Sequence, residues 1–152
     1  MGYTHYWSFK ETSLDEKEVN QVVNELNKII QNLPEKTDTA GGVYKENKLK
    51  LVGWNGKGKP VINTKELSFN GNGDLGHESF YISLNKPDSS DFCKTNRKPY
   101  DLFVCCVLIS LRNNINGFYF KTDGDIFDWT PAINLYEELI GDIRFNLDEV
   151  FE

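Results

Sequence analysis

Four short clusters hold the residues whose chemistry could act on a ligand: Thr4-His5-Tyr6, Gly76-His77-Glu78, the run Cys93-Lys94-Thr95-Asn96-Arg97-Lys98, and Thr122-Asp123-Gly124-Asp125 with Asp128 close behind. The basic run is the most telling. It sets Lys94, Arg97 and Lys98 just ahead of Pro99 and a long apolar stretch, in a chain with 17 Lys+Arg against 23 Asp+Glu. Pro99 suits the first position of a helix, where its missing N–H costs nothing, so a helix over 100–113 is expected to start there. The unpaired N–H groups of a helix start, a forked guanidinium and two ammonium groups together suit a phosphate or carboxylate. The plainer alternative is a solvated loop whose cations pair with an acidic surface.

His5 and His77 are the only histidines, and each has the chemistry of a general base, a metal ligand or a reader of a base edge. Glu78, Asp123 and Asp125 are further candidates for acid–base work. Cys93 is a candidate nucleophile, since neighbouring cations and a helix start lower a thiol's pKa, with His77 as its base. The catalytic candidates are therefore His77, Glu78, Cys93, Asp123 and Asp125. A metal site from His5, His77, Asp123 and Asp125 lacks the close His-x-x-x-His or Asp-x-Asp-x-Asp spacing that would support it, so neither metal nor cofactor is expected. The stretch Gly53 to Gly58 has spaced glycines but no Gly-Lys-Ser/Thr ending, and no Gly-x-Gly-x-x-Gly or Gly-x-Ser-x-Gly occurs. Aromatic residues stand beside the polar clusters, and an aromatic face next to a positive patch suits a nucleotide base whose phosphates the cations hold. Core packing is the competing use of those rings. The ligand-binding candidates are His5, Tyr6, Trp7, His77, Glu78, Lys94, Thr95, Arg97, Lys98, Tyr100, Asp123 and Asp125.

The elements that must position these residues follow from periodicity. Tyr3 to Phe9 alternates, with Tyr3, His5, Trp7 and Phe9 on one face and Thr4 and Tyr6 on the other, and reads as a strand. Ser13 and Glu16 form a capping-box pattern ahead of Val19, Val22, Val23, Leu26, Ile29, Ile30 and Leu33, a helix that Pro34 ends. Residues 35–47, with Gly41-Gly42, read as a loop within a variable loop and hairpin region over 35–60. Strands are expected over Leu49–Trp54, Val61–Ile62, Leu67–Asn70, Glu78–Leu84 and Phe118–Lys121, with glycine turns between several of them. The connection from Asn85 to Asp91 runs into the basic loop. The helix 100–113 is apolar nearly all round and should be central and buried. Thr130-Pro131 resembles an N-cap and first helical residue of a last helix, with Asp128 an alternative cap, and the acidic tail 148–152 is expected to fray.

At 152 residues the chain suits one domain with a real core. The element order predicts an α+β domain spanning 1–152, a mostly antiparallel sheet packed with about three helices. A net charge of -6 argues against extended nucleic acid as partner, since such binding draws on many phosphate contacts from a basic face. Three cysteines, two of them adjacent in an apolar run, fit a reducing compartment. Without a signal core or a membrane-length apolar stretch, a cytoplasmic protein is expected.

Gly2-Tyr3-Thr4-His5-Tyr6-Trp7, Phe69-Asn70-Gly71, His77-Glu78-Ser79-Phe80, Phe92-Cys93-Lys94-Thr95-Asn96-Arg97-Lys98-Pro99-Tyr100-Asp101 and Thr122-Asp123-Gly124-Asp125 with Asp128-Trp129 together resemble an uncharacterised family of small phage and prophage proteins. The resemblance spans most of the chain outside 35–60. It implies a phage-type protein acting in the bacterial host cytoplasm, with the matching polar motifs as its site. Three functions are then in view. The leading one is a protein that binds an anionic, nucleotide-like phosphorylated small molecule, as a monomer or homo-oligomer, and sequesters a host defence signal. The alternatives are a small nucleotide-directed hydrolase or transferase and an acidic inhibitor that covers a host protein.

Overall fold

The computed structural model describes residues 2–35 and 49–151. The loop expected over 35–47 lies almost wholly outside them. The described chain forms seven strands and three helices: β1 (Thr4–Phe9), α1 (Glu16–Gln31), β2 (Leu51–Val52), β3 (Val61–Ile62), β4 (Glu66–Gly71), β5 (Phe80–Ser83), β6 (Ser90–Lys94), α2 (Asp101–Asn114), β7 (Phe118–Thr122) and α3 (Ile126–Leu139). All pairing is antiparallel. One sheet runs β6-β1-β7. In the other, β4 is the central strand and pairs with β2, β3 and β5. This is the single α+β domain that the element order predicts.

The alternation in β1 does what it implies. Tyr3, His5, Trp7 and Phe9 are buried while Tyr6 faces out, so the strand gives one face to the core, and on the other face Thr4, at the strand's start, is covered as well. Helix α2 packs against α1, α3 and β7, and Leu102 through Leu111 are buried without a break. Its apolar circumference is thereby accounted for. Phe69 stacks on Phe80 at 5.0 Å between ring centres and meets Phe103 of α2 at 4.9 Å, which ties the β4–β5 sheet to the central helix.

Several boundaries differ from the sequence expectation, each for a local reason. Asp15 rather than Ser13 caps α1, its carboxylate accepting the Glu18 N–H at 3.1 Å. Glu16 and Glu18 then fall in the first turn, where negative charge is favoured. Pro99 is not the first residue of α2. Asn96 and Arg97 adopt left-handed backbone (φ 53° and 60°), and tight turns from Lys98 to Thr95 and from Asp101 to Lys98 delay the helix to Asp101. Strand β6 occupies residues read as connection and loop. Its Ser90, Asp91 and Lys94 give little intrinsic strand signal, and pairing with β1 supplies the rest.

Helix α3 starts at Ile126, four residues before the expected Thr130 cap. Asp125 and Asp128 cap it reciprocally, each carboxylate accepting the other's backbone N–H at 2.9 and 3.0 Å. Pro131 consequently lies inside the helix. Its missing N–H forgoes one bond, on an exposed side of the helix. The tail is not loose either: Leu147–Glu149 make a single 3₁₀ turn, Val150 is buried, and Phe151 packs edge-on to Trp129.

Candidate functional site

At one end of the β6-β1-β7 sheet, β1 begins, β6 and β7 end, and α2 begins. That geometry draws three of the four polar clusters together around His5, which is fully buried. Opposite His5 on β7 lies Thr122, whose Oγ1 is 2.8 Å from His5 Nδ1. The same Oγ1 accepts the Trp129 indole N–H at 3.2 Å and the Gly124 N–H at 3.0 Å. With both lone pairs used, the hydroxyl hydrogen goes to Nδ1, so Nδ1 is the acceptor and Nε2 carries the ring proton. Nε2–H then donates to Asp101 Oδ1 at 2.6 Å. Asp101, the first residue of α2, also accepts the Thr95 hydroxyl at 2.6 Å and the Cys105 thiol at 3.5 Å.

Asp101 is therefore a buried carboxylate with three donors and a helix start behind it. Burial alone would raise its pKa, but the adjoining His5 and the bonds from His5, Thr95 and Cys105 outweigh that and hold it below the ordinary carboxylate value. The anion attracted by the start of α2 is the chain's own. Asp101, Thr122 and Cys105 are not among the catalytic or ligand-binding candidates of the sequence, although Thr122 lies in one of the four polar clusters and Asp101 closes the basic motif. Two signals were available: His5 sits on the inward face of β1 and needs a buried partner, and Cys105 follows Asp101 by one helical turn.

The basic loop is knitted into the same end. Arg97 bonds Asp128 at 2.9 Å and lies 4.1 Å over the Tyr3 ring. Partial burial would lower its pKa, and the Asp128 bond reverses this and raises it. Asp123 accepts the Thr4 N–H at 3.0 Å. Gly124 packs so closely on the Tyr3 hydroxyl that a side chain there would collide with it. The cluster around Glu78 joins through the main chain. Its carbonyl accepts the buried Tyr100 hydroxyl at 2.6 Å, and its carboxylate accepts the Lys94 N–H at 2.7 Å. His77 is exposed, its backbone held by the Asn70 side chain. Asp125 serves as the α3 cap.

Two chemistries can be weighed on this geometry. His5, Asp101 and Cys105 place donor atoms within 4.8 Å of one another, the donor types that zinc takes. Two nitrogen or oxygen ligands on one tetrahedral zinc stand roughly 3.3 Å apart, whereas His5 Nε2 and Asp101 Oδ1 are 2.6 Å apart with a proton between them. The cluster is closed as a hydrogen-bonded knot. The expectation of an acidified Cys93 is reversed: it is buried, its thiol faces the Glu78 carbonyl at 3.4 Å, and burial pushes its pKa well up. Burial raises the pKa of Cys105 and Cys106 too. All three thiols should stay inert to a disulfide reagent in the folded protein at neutral pH and react together only on denaturation, a difference that a thiol titration with and without denaturant reads directly.

A groove of ≈ 490 Å³ lies on the outward face of the same sheet, floored by Tyr6, Ser8 and Tyr119 and walled by Arg112, Lys121 and Glu149. Tyr6 is 45% exposed and Tyr119 41%. The Arg112 guanidinium lies 4.5 Å over the Tyr119 ring and 3.3 Å from the Glu149 carboxylate, and Lys121 Nζ donates to the Glu149 carbonyl at 2.9 Å. Lys94 stands on that face also, two residues along β6 from Phe92 and paired with Thr4. Tyr6 and Lys94 of the sequence-derived set thus lie at or near this open face, while Trp7 points into the core against Phe80. His5, Thr95 and Tyr100 lie within the protein.

The fold and its polar network define a single-domain α+β protein with a buried histidine–aspartate knot beneath an open, aromatic sheet face. No known protein family, curated protein or solved structure matches the chain. Among the described residues no helix is long and apolar enough to cross a membrane.

Proposed function

We propose that this protein binds a phosphorylated, nucleotide-like small molecule in the groove over β1 and β7, holding the base against Tyr6 and Tyr119 and the phosphate near Arg112 and Lys121. The observation that carries the reading is the pairing of two half-exposed tyrosines with two cations in a concavity of ≈ 490 Å³, within the roughly 300–1,000 Å³ usual for small-molecule sites. Stacking on an aromatic face tolerates any base, and a guanidinium gives a phosphate two parallel donors. The ion pair to Glu149 orients Arg112 and offsets part of its charge, so a phosphate would take over donors that Glu149 now uses. Among the described residues of the groove wall Glu149 is the one carboxylate, and it is tied to Arg112, which supports retention of the ligand over its turnover. A phage-encoded protein of this kind would act by sequestering a host signalling nucleotide.

The test is calorimetric titration of the purified protein with adenosine and guanosine mono- and diphosphates. Saturable binding to the wild type, weakened about tenfold or more in Tyr6→Ala as expected for loss of one stacking surface, supports the reading. No binding of any of these nucleotides, with the protein folded, removes it.

A further inference from the structure

The aromatic surface of the β6-β1-β7 sheet does not stop at the groove. Phe92 on β6 is 56% exposed and lies directly opposite Tyr6 in the strand register, with ring centres 6.4 Å apart. On the other side, Tyr6 faces Lys121, and Tyr119 faces Ser8, which makes Tyr6 and Tyr119 diagonal neighbours, roughly 7–8 Å apart by sheet geometry. Three rings therefore cross the sheet in order, Phe92, Tyr6 and Tyr119. Cations accompany the row, with Lys94 at the Phe92 end, Lys121 beside Tyr6, and Arg112 and Lys10 over the Tyr119 ring at 4.5 and 4.8 Å. The groove accounts for Tyr6 and Tyr119 only, so one nucleotide leaves Phe92 uncovered.

Resting on the nucleotide reading above, we infer that the ligand is a short single-stranded oligonucleotide of two or three units, with successive bases on Tyr119, Tyr6 and Phe92. The spacing suits it. Adjacent bases on an extended strand separate by about the distance between neighbouring rings on a sheet, and stacking on consecutive aromatic side chains is how sheet surfaces hold single strands. The charge pattern suits it as well. Linking phosphates would cross between rings, where Lys121 stands beside Tyr6 in the register and Lys94 lies diagonally from it. An acidic protein with a few cations beside this row of rings accommodates two or three phosphates and disfavours a long polyanion.

The experiment compares 5′-phosphorylated adenosine, the dinucleotide pApA and the trinucleotide pApApA by calorimetry against the wild type, Phe92→Ala and, as a control on the other sheet, Tyr81→Ala. All three proteins are first checked for an unchanged unfolding midpoint, which Phe92 should permit because it packs little. The inference requires pApA to bind at least tenfold more tightly than the mononucleotide, and Phe92→Ala to abolish that gain while leaving mononucleotide affinity within about twofold; Tyr81→Ala should change neither. Equal affinity for all lengths, or a length gain that survives Phe92→Ala, overturns the oligonucleotide inference and leaves the nucleotide site standing. Binding of none of the three removes both.

Discussion

Asp101→Ala should destabilise the protein by about 3–5 kcal/mol, since several buried donors lose their acceptor at once and each carries a desolvation penalty of about 1–3 kcal/mol. For a domain of this size that is on the order of 10 °C in unfolding midpoint. The loss is large because three donors converge on the carboxylate: His5 Nε2–H, the Thr95 hydroxyl and the Cys105 thiol. In Asp101→Ala each is buried without an acceptor. Asp101→Asn should cost less, since its carbonyl oxygen still accepts from His5 and Thr95, while its amide turns a donor toward Cys105. The pH dependence separates this account from simple loss of packing. The folded-state pKa of Asp101 is depressed, so its contribution is fully present above the unfolded value of about 3.9 and fades as pH falls through the lower folded value. The stability difference between wild type and Asp101→Asn should be constant from neutral pH to about 5 and shrink below about 4. Urea unfolding across that pH range measures it, and a difference that stays flat to the acid limit would refute the ionised carboxylate.

This knot also shows where the sequence is readable and where it is not. The inward face of β1 follows from alternation alone, and the burial of α2 follows from its unbroken apolar run, because both are properties of a single element. The partners of His5 are not. Thr95, Asp101 and Thr122 are distant in sequence and meet through the pairing of β1 with β6 and β7, a pairing in which β6 itself carries little strand signal. The basic loop misled for a related reason. A cluster of cations ahead of a helix looks like an anion site, but the helix supplies its own anion, and the neighbouring α3 supplies Asp128 for Arg97. The sheet face was partly legible, since the alternation turns Tyr6 outward, yet its neighbours Phe92 and Tyr119 become a row only once the register is known.

The second buried carboxylate gives the other large effect. Glu25 of α1 is buried among three helices, and its Oε1 accepts from the Tyr136 hydroxyl of α3 at 2.6 Å, from Ser110 of α2 at 2.9 Å and from the Asn114 amide at 3.0 Å, while Gln21 donates to Oε2 at 2.9 Å. Four side chains from three helices thus depend on one residue, and Glu25→Ala should cost about 3–5 kcal/mol, since orphaned buried donors each lose a full desolvation penalty and a cavity is left behind. Glu25→Gln keeps one carbonyl acceptor and should cost roughly half as much, because hydrogen bonds to a charged acceptor are about twice as strong as neutral ones. Tyr136 provides the internal control. Tyr136→Phe removes one donor and leaves Glu25 with three, so alone it should cost about 1–2 kcal/mol. Combined with Glu25→Ala it should cost clearly less than it does alone, because the hydroxyl has already lost its acceptor and is left with only the bond it accepts from the Asn113 amide at 3.0 Å. A double-mutant cycle by denaturant unfolding therefore yields a coupling of up to about 1–2 kcal/mol if Glu25 organises the helices through these bonds. Additive costs would mean that Glu25 acts through volume alone, and the three helices would then be held by their apolar contacts without a polar hub.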